Sequence, residues 1–221
     1  MKSTINVVMV DDHKLIRQGI KSLLLGHDHI QVVHEAANGL EIVQWFKEER
    51  NELPVHVVLM DMQMPKLNGW ETTETLLKMN RNLKVLGLSS YDDEEFIKQF
   101  IRSGGRGYLL KDQEIEEIVD AIEDIFETGF YFSHRVPIEK LKEYIKIRDI
   151  SPNIRYTTLT KHEIKIVKLI CEELSTQEIA DALFLTKKTI ETHRSHIWSK
   201  LKIKNMAGLV RYAVKNKIVK A

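Results

Sequence analysis

Cysteine is almost absent from this chain: of 221 residues only Cys171 carries a thiol. That excludes an internal disulfide framework and a multi-cysteine zinc site, and it makes a reducing cytoplasm the expected compartment. Proline is scarce as well, with four residues, and there is no fibrous repeat. No apolar run approaches the ~20 residues that a membrane helix needs. Met1-Lys2-Ser3-Thr4 leads straight into a strand-like run, so neither a membrane span nor a signal peptide is expected. A composition with 43% apolar and 29% charged residues is that of a globular protein and removes global disorder. As a prior, the length suits one large domain or two small ones.

The net charge of +1 hides a strong asymmetry. Residues 1–130 hold 14 Lys+Arg against 23 Asp+Glu, a net of −9, whereas residues 131–221 hold 19 against 9, a net of +10. An acidic half joined to a basic half implies two domains with different partners, and the basic one suits a polyanion.

Five short runs dense in Val, Ile and Leu lie in the acidic half: Ile5–Val10, Ile30–Glu35, Val55–Met60, Leu83–Leu88 and Gly107–Leu110. They lack polar alternation, which is the pattern of parallel strands buried on both faces. Amphipathic stretches near 14–25, 39–50, 69–80, 93–103 and 113–128 separate them. Five βα units predict a doubly wound five-stranded parallel α/β sheet, with right-handed crossovers and function at the carboxyl ends of the strands. The expected divisions are residues 1–129 for this domain, 130–155 for a linker with one short helix around Ile138–Ile145, and 156–221 for the basic domain.

The basic domain shows no strand pattern. Two capping boxes, Thr160-Lys-His-Glu163 and Ser175-Thr-Gln-Glu178, start helices over about 161–174 and 176–183. Thr186 caps a third over about 187–201, and a fourth covers about 205–216. A short helix, a tight turn and a longer helix within a small all-α four-helix unit form a helix-turn-helix.

Carboxylates mark the strand ends. Asp11 and Asp12 follow the first strand and Asp61 the third, and these strands are neighbours at the switch point of a doubly wound sheet. Converging carboxylates repel unless a cation neutralises them, and Mg2+, a hard ion with oxygen ligands, suits them best. Ser89 ends the fourth strand and Lys111 follows the fifth. Acids, a metal, a hydroxyl and an ammonium around one point suit a phosphoryl group, with a carboxylate as nucleophile.

Val7-Val-Met-Val-Asp-Asp-His13, Leu59-Met-Asp-Met-Gln-Met-Pro-Lys-Leu-Asn-Gly69, Leu88-Ser-Ser-Tyr-Asp-Asp-Glu94 and Gly107-Tyr-Leu-Leu-Lys-Asp112 resemble the flavodoxin-like receiver domain of bacterial response regulators, over roughly residues 4–128. The resemblance implies that Asp61 accepts phosphate from a sensor histidine kinase, becoming an aspartyl phosphate. It implies that Asp12, Asp61 and the backbone carbonyl of Gln63 bind Mg2+ directly, with Asp11 acting mainly through water. It further implies that Ser89 and Lys111 engage the phosphoryl oxygens and that Ser89 and Tyr108 form the switch. Gly104-Gly105 departs from the usual Gly-Ala, and Asp112 from the common Pro.

Leu159-Thr-Lys-His-Glu-Ile164, Leu174-Ser-Thr-Gln-Glu-Ile-Ala180 and the run Leu185–Leu201 resemble the LuxR-type helix-turn-helix, so the whole chain is similar to NarL/FixJ-family response regulators. These regulate transcription by binding DNA and are not enzymes. On the helix over 187–201, Ile190, Ile197, Trp198 and Leu201 make the core stripe. Lys188, Glu191, Thr192 and Ser195 lie opposite, toward a major groove. Lys187, Arg194, Lys200, Lys202 and Lys204 are expected to meet phosphates. Glu173 stands where a Gly usually closes the first helix of this domain. Phosphorylation is expected to promote a homodimer on two DNA half-sites.

Two other classes compete. An α/β phosphatase would need a second acid two residues after its nucleophile, where this chain has Gln63. A pure protein-interaction regulator would show no salt-dependent affinity for duplex DNA.

Overall fold

The computed structural model describes residues 4–48, 54–90, 94–111, 115–132, 159, 161–183 and 185–219. The chain divides into two compact units, Met1–Ile154 and Arg155–Ala221. The expected linker helix and the Thr160 cap lie outside the described residues.

The first unit alternates strands and helices: β1 (Ile5–Val10), α1 (Lys14–Leu24), β2 (Ile30–Ala36), α2 (Gly39–Glu48), β3 (Val57–Asp61), α3 (Gly69–Met79), β4 (Lys84–Ser89), α4 (Glu94–Ser103), β5 (Gly107–Leu110) and α5 (Ile115–Thr128). A further strand, β6 (Tyr131–Phe132), follows. The sheet is parallel, in the order β2-β1-β3-β4-β5-β6.

The sixth strand corrects the expectation of five and takes the start of the expected linker into the sheet. Gly129, at φ +89, reverses the chain after α5. The Tyr131 N–H then donates to the Arg106 carbonyl at 3.0 Å, and the Tyr131 side chain is buried. Two residues carry no readable periodicity, so no pattern marks this strand.

Strand residues divide by parity. Val8, Val10, Val58, Met60, Val85 and Tyr108 face one core with Ile42, Leu76, Ile97 and Phe100 from α2, α3 and α4. Val7, Met9, Val57, Leu59, Leu86 and Leu109 face the other with Ile20 and Leu24 of α1 and Ile122 and Ile125 of α5. Burial on both faces is why these strands read as unbroken apolar runs. Gly105 sits where a side chain does not fit: a Cβ there would lie 2.2–2.5 Å from the Phe100 ring. That accounts for glycine in place of the usual alanine.

The second unit contains α6 (Lys161–Cys171), α7 (Thr176–Leu183), α8 (Lys187–Leu201) and α9 (Met206–Lys215). They close on Leu159, Ile166, Val167, Ile170, Ile179, Ile190, Ile197 and Leu209. The capping box of α7 is reciprocal: the Ser175 N–H donates to Glu178 at 2.8 Å and the Glu178 N–H to Ser175 Oγ at 3.3 Å. Thr186 and Asn205 cap α8 and α9. The C-termini are less favourable. Glu173, Lys202 and Lys217 take left-handed conformations at φ 65, 51 and 58. At the end of α6 the Leu174 N–H donates to Leu169 O and the Glu173 N–H to Ile170 O, the closing pattern that glycine makes most easily.

These two positions give opposite expectations. Gly105→Ala must displace a core aromatic ring, and thermal unfolding should show the first unit destabilised by about 1–3 kcal/mol. Glu173→Gly relieves a left-handed side chain and should stabilise the second unit by up to ~1 kcal/mol.

Candidate functional site

The pocket is assembled by strand order. β1 pairs with β3, with Val10 opposite Met60, so Asp11 emerges beside Asp61. β4 pairs with β5, and the Lys111 N–H donates to the Ser89 carbonyl at 2.7 Å. Asp61 and Ser89 are the last residues of their strands, and Asp11 and Lys111 are the first beyond theirs. Asp11, Asp61 and Ser89 are all buried, at 1%, 3% and 3% exposure.

Lys111 bridges the two buried acids: its Nζ lies 2.7 Å from Asp11 Oδ2 and 2.8 Å from Asp61 Oδ2. The other oxygens meet backbone. The His13 N–H donates to Asp11 Oδ1 at 2.8 Å, and the Gln63 N–H donates to Asp61 Oδ1 at 3.2 Å. Burial pushes the Asp61 carboxyl above its usual range; the Lys111 hydrogen bond opposes this and the Asp11 charge adds to it. An acid held in that balance gains from a further cation. Asp12 stands at the pocket rim; among the described residues its buried Oδ1 accepts no hydrogen bond, and it lies 2.8 Å from His13 Nδ1. Ligand atoms of Asp11, Asp12, His13 and Asp61 lie within 4.8 Å of one another. The oxygen-rich donors fit a hard divalent ion.

Asp11, Asp12, Asp61 and Lys111 thus come together, Ser89 ends the strand between β3 and β5, and at Gln63 the contact seen is the backbone N–H rather than the carbonyl. Tyr108 is fully buried on β5 opposite Gly87, its ring 6.1 Å from that of Phe100. Met62 and Met64 are buried packing residues. Two participants lie beyond the expected set. His13 Nδ1 is 2.8 Å from Asp12 Oδ1. Arg17 Nη1 donates to the Asp11 carbonyl at 2.5 Å, and its Nε faces Glu35 at 3.6 Å. His13 ends the first motif, and Arg17 follows one helical turn later, which is the signal that could have found it.

In the second unit, α7 and α8 form the helix-turn-helix. Lys187, Lys188, Glu191, Ser195 and Lys202 are exposed, while Thr192 and Arg194 are half-buried. The Thr192 hydroxyl donates back to the Lys188 carbonyl at 3.1 Å. Arg194 donates to Thr176 Oγ1 at 2.7 Å and lies over the Trp198 ring, tying α7 to α8. Lys200 is a correction. Instead of facing phosphates, it inserts between helices and donates to both oxygens of buried Glu163, at 2.7 and 2.9 Å.

A doubly wound sheet with an acidic pocket at its switch point, followed in the chain by a helix-turn-helix unit, is the architecture of a two-domain regulator. The family model described as "Response regulator receiver domain" matches residues 7–123, and that of "Bacterial regulatory proteins, luxR family" matches residues 157–213. The chain is 38% identical over 218 residues to "Transcriptional regulatory protein MctR" of Rhizobium johnstonii, covering 97% of this chain and 95% of that one. It is 32% identical over 217 residues to "Oxygen regulatory protein NreC" of Staphylococcus carnosus, covering 96% and 98%. The receiver domain of a putative response regulator NarL from Mycobacterium tuberculosis matches with a TM-score of 0.51 at 30% identity, covering 57% of this chain and 98% of that one. The chain belongs to the response regulators that join a receiver domain to a LuxR-type DNA-binding domain, and is a transcription regulator rather than an enzyme.

One buried group in the DNA-binding unit has a consequence for stability. His193, on α8, is 6% exposed, and its ring lies 5.1 Å from that of His162. Among the described residues its Nε2 has no hydrogen-bond partner. Burial, then the charges of His162, His196 and Lys200, lower its pKa from 6.5 to about 4. The folded unit therefore binds this proton less readily than the unfolded chain does. Its stabilising share is complete above pH 6.5 and is lost as pH falls toward 4, by roughly 3 kcal/mol. Urea unfolding of the wild type and His193→Leu from pH 7 to pH 4 should show the variant gaining about that much relative to the wild type. A constant difference would mean that His193 does not titrate this way.

Proposed function

We propose that Asp61 takes a phosphoryl group from a sensor histidine kinase and that the resulting aspartyl phosphate promotes homodimerisation and sequence-specific DNA binding. The observation that carries this reading is the shared lysine: one ammonium holds Asp11 and Asp61 by their Oδ2 atoms, at 2.7 and 2.8 Å.

In the reaction, an Asp61 carboxylate oxygen attacks phosphorus as the P–N bond to the kinase histidine breaks. The electron pair of that bond stays on the imidazole nitrogen, and an acyl phosphate forms on Asp61. The Lys111 ammonium follows the charge onto a phosphoryl oxygen, and the Ser89 hydroxyl donates to another. Mg2+, when bound, neutralises charge that develops on the phosphoryl oxygens. Asp12, Asp61 and the Gln63 carbonyl would hold it directly, and Asp11 through water. Engagement of Ser89 would draw β4 toward the phosphate, with Tyr108 on the adjacent strand repacking in response.

In the DNA-binding unit, Lys188, Glu191, Thr192 and Ser195 would face base edges from α8. Lys187, Arg194 and Lys202 would meet phosphates. The exposure of Glu191 between Lys187, Lys188 and Ser195 favours a base contact, since a carboxylate cannot approach phosphate. This assignment places the protein in the cytoplasm with its DNA. Among the described residues, no helix is long and apolar enough to cross a membrane.

Incubation with acetyl phosphate and Mg2+, read by intact mass, should add one phosphate to the wild type and none to Asp61→Asn. Stable labelling of the variant would place the acceptor elsewhere. On a selected operator, Glu191→Ala should relax preference at one base pair per half-site by about 1–3 kcal/mol. Lys202→Ala should weaken binding to all sequences alike and reduce the salt slope by about one. Equal losses on matched and scrambled DNA for Glu191→Ala would remove its base-reading role.

A further inference from the structure

A cavity of about 200 Å³ opens between α1 and α5 and reaches the sheet beneath them. Its floor is Leu88 of β4 and Leu109 of β5, at 2% and 0% exposure, and its sides are Ile16 and Leu23 of α1 and Ile118 of α5. Protein interiors pack densely and leave few voids larger than a water molecule, so an apolar space of this size is a departure. Walls of Leu and Ile offer water no hydrogen-bond partners. A cavity of about 150 Å³ with such walls stays dry and binds benzene.

Gly19 keeps the space open. It lines the cavity between Ile16 and Leu23, at the helical spacing where α1 would otherwise place a third apolar side chain. Its φ is not positive, and among the described residues a Cβ there would meet no atom within 4 Å. Neither turn geometry nor close packing therefore calls for glycine, which destabilises a helix interior relative to alanine. What the missing side chain preserves is the mouth of the cavity.

The lining also sets the charge of an occupant. Lys111 is the one charged residue along the wall, and its ammonium is committed to Asp11 and Asp61, at 2.7 and 2.8 Å. An anion would find no free cation there, and no carboxylate lines the cavity for a cation. The buried floor lies below the helices, within reach of a small molecule but not of a flat protein surface.

We propose that the cavity between α1 and α5 is a binding site for a small neutral apolar molecule, of the size of one substituted aromatic ring. The volume admits benzene with room for a substituent, and burial of its apolar surface supplies the affinity.

The test uses the full chain with isotope-labelled Ile and Leu methyls, and toluene and benzoate as probes. Toluene should show nuclear Overhauser contacts to the methyls of Ile16, Leu23, Leu109 and Ile118. Gly19→Leu, a helix-favouring change at an exposed position, fills the mouth and should weaken toluene binding by at least about tenfold, read by calorimetry. Ile118→Phe fills the space from α5 and should do the same, so the outcome does not depend on one variant. Benzoate should bind at least about tenfold more weakly than toluene, because its carboxylate loses water without gaining a partner. Toluene contacts that are absent or lie elsewhere, or an affinity unchanged in both filled variants, would overturn the site. Benzoate binding as tightly as toluene would overturn the neutral class of ligand. Failure of toluene to bind, with a dimer that Gly19→Leu dissociates in sedimentation, would overturn the proposal in favour of a side chain from a second copy.

Discussion

Two carboxylates buried side by side cannot both stay charged without a cation, and the receiver unit is arranged around that constraint. Asp11 and Asp61 are brought together by the pairing of β1 with β3, and Lys111 from the end of β5 reaches across β4 to hold both. The three groups come from β1, β3 and β5, gathered by the strand order although far apart in sequence, so the pocket exists only when the parallel sheet is complete. It is also electrostatically unfinished: one ammonium faces two buried acids and a third at the rim. Burial keeps the Asp61 carboxyl above its usual range despite the lysine. A site with that deficit favours an added divalent ion, and the ion in turn favours an incoming phosphoryl group.

The DNA-binding unit solves a related problem with a local pair. Glu163 on α6 is buried, and Lys200 on α8 meets both of its oxygens. The pair fixes the register of the two helices, while removal of either partner would strand a charge. Arg194 does the same between α7 and α8 through Thr176 and Trp198. The outward face of α8 is thereby held by groups on its inward and lateral faces. Three helix ends closed by Glu173, Lys202 and Lys217 in left-handed conformations offset part of this gain.

Much of the fold was legible because its signals are local. Strands buried on both faces leave unbroken apolar runs, and Asp11, Asp12, Asp61, Ser89 and Lys111 sit at strand ends where a doubly wound sheet must gather them. What escaped depends on distant partners. β6 is two residues long and exists only because Arg106 offers it a free edge. Lys200 reads as a surface cation on any helical projection, and nothing near it announces Glu163, 37 residues earlier. His193 looks polar in sequence, yet the helix buries it against α6. Arg17 joins the pocket through a backbone carbonyl, which leaves no mark on residue identity.

In the proposed function, the charge state of the pocket around Asp61 controls DNA binding. The most direct measurement is the affinity of the full chain for an operator selected from random duplex DNA, at fixed salt, with and without phosphorylation. The phosphorylated chain should bind more tightly, by about tenfold or more, as expected when paired half-sites are engaged together. Identical affinities for the two forms, with phosphate shown to be on Asp61, would contradict it.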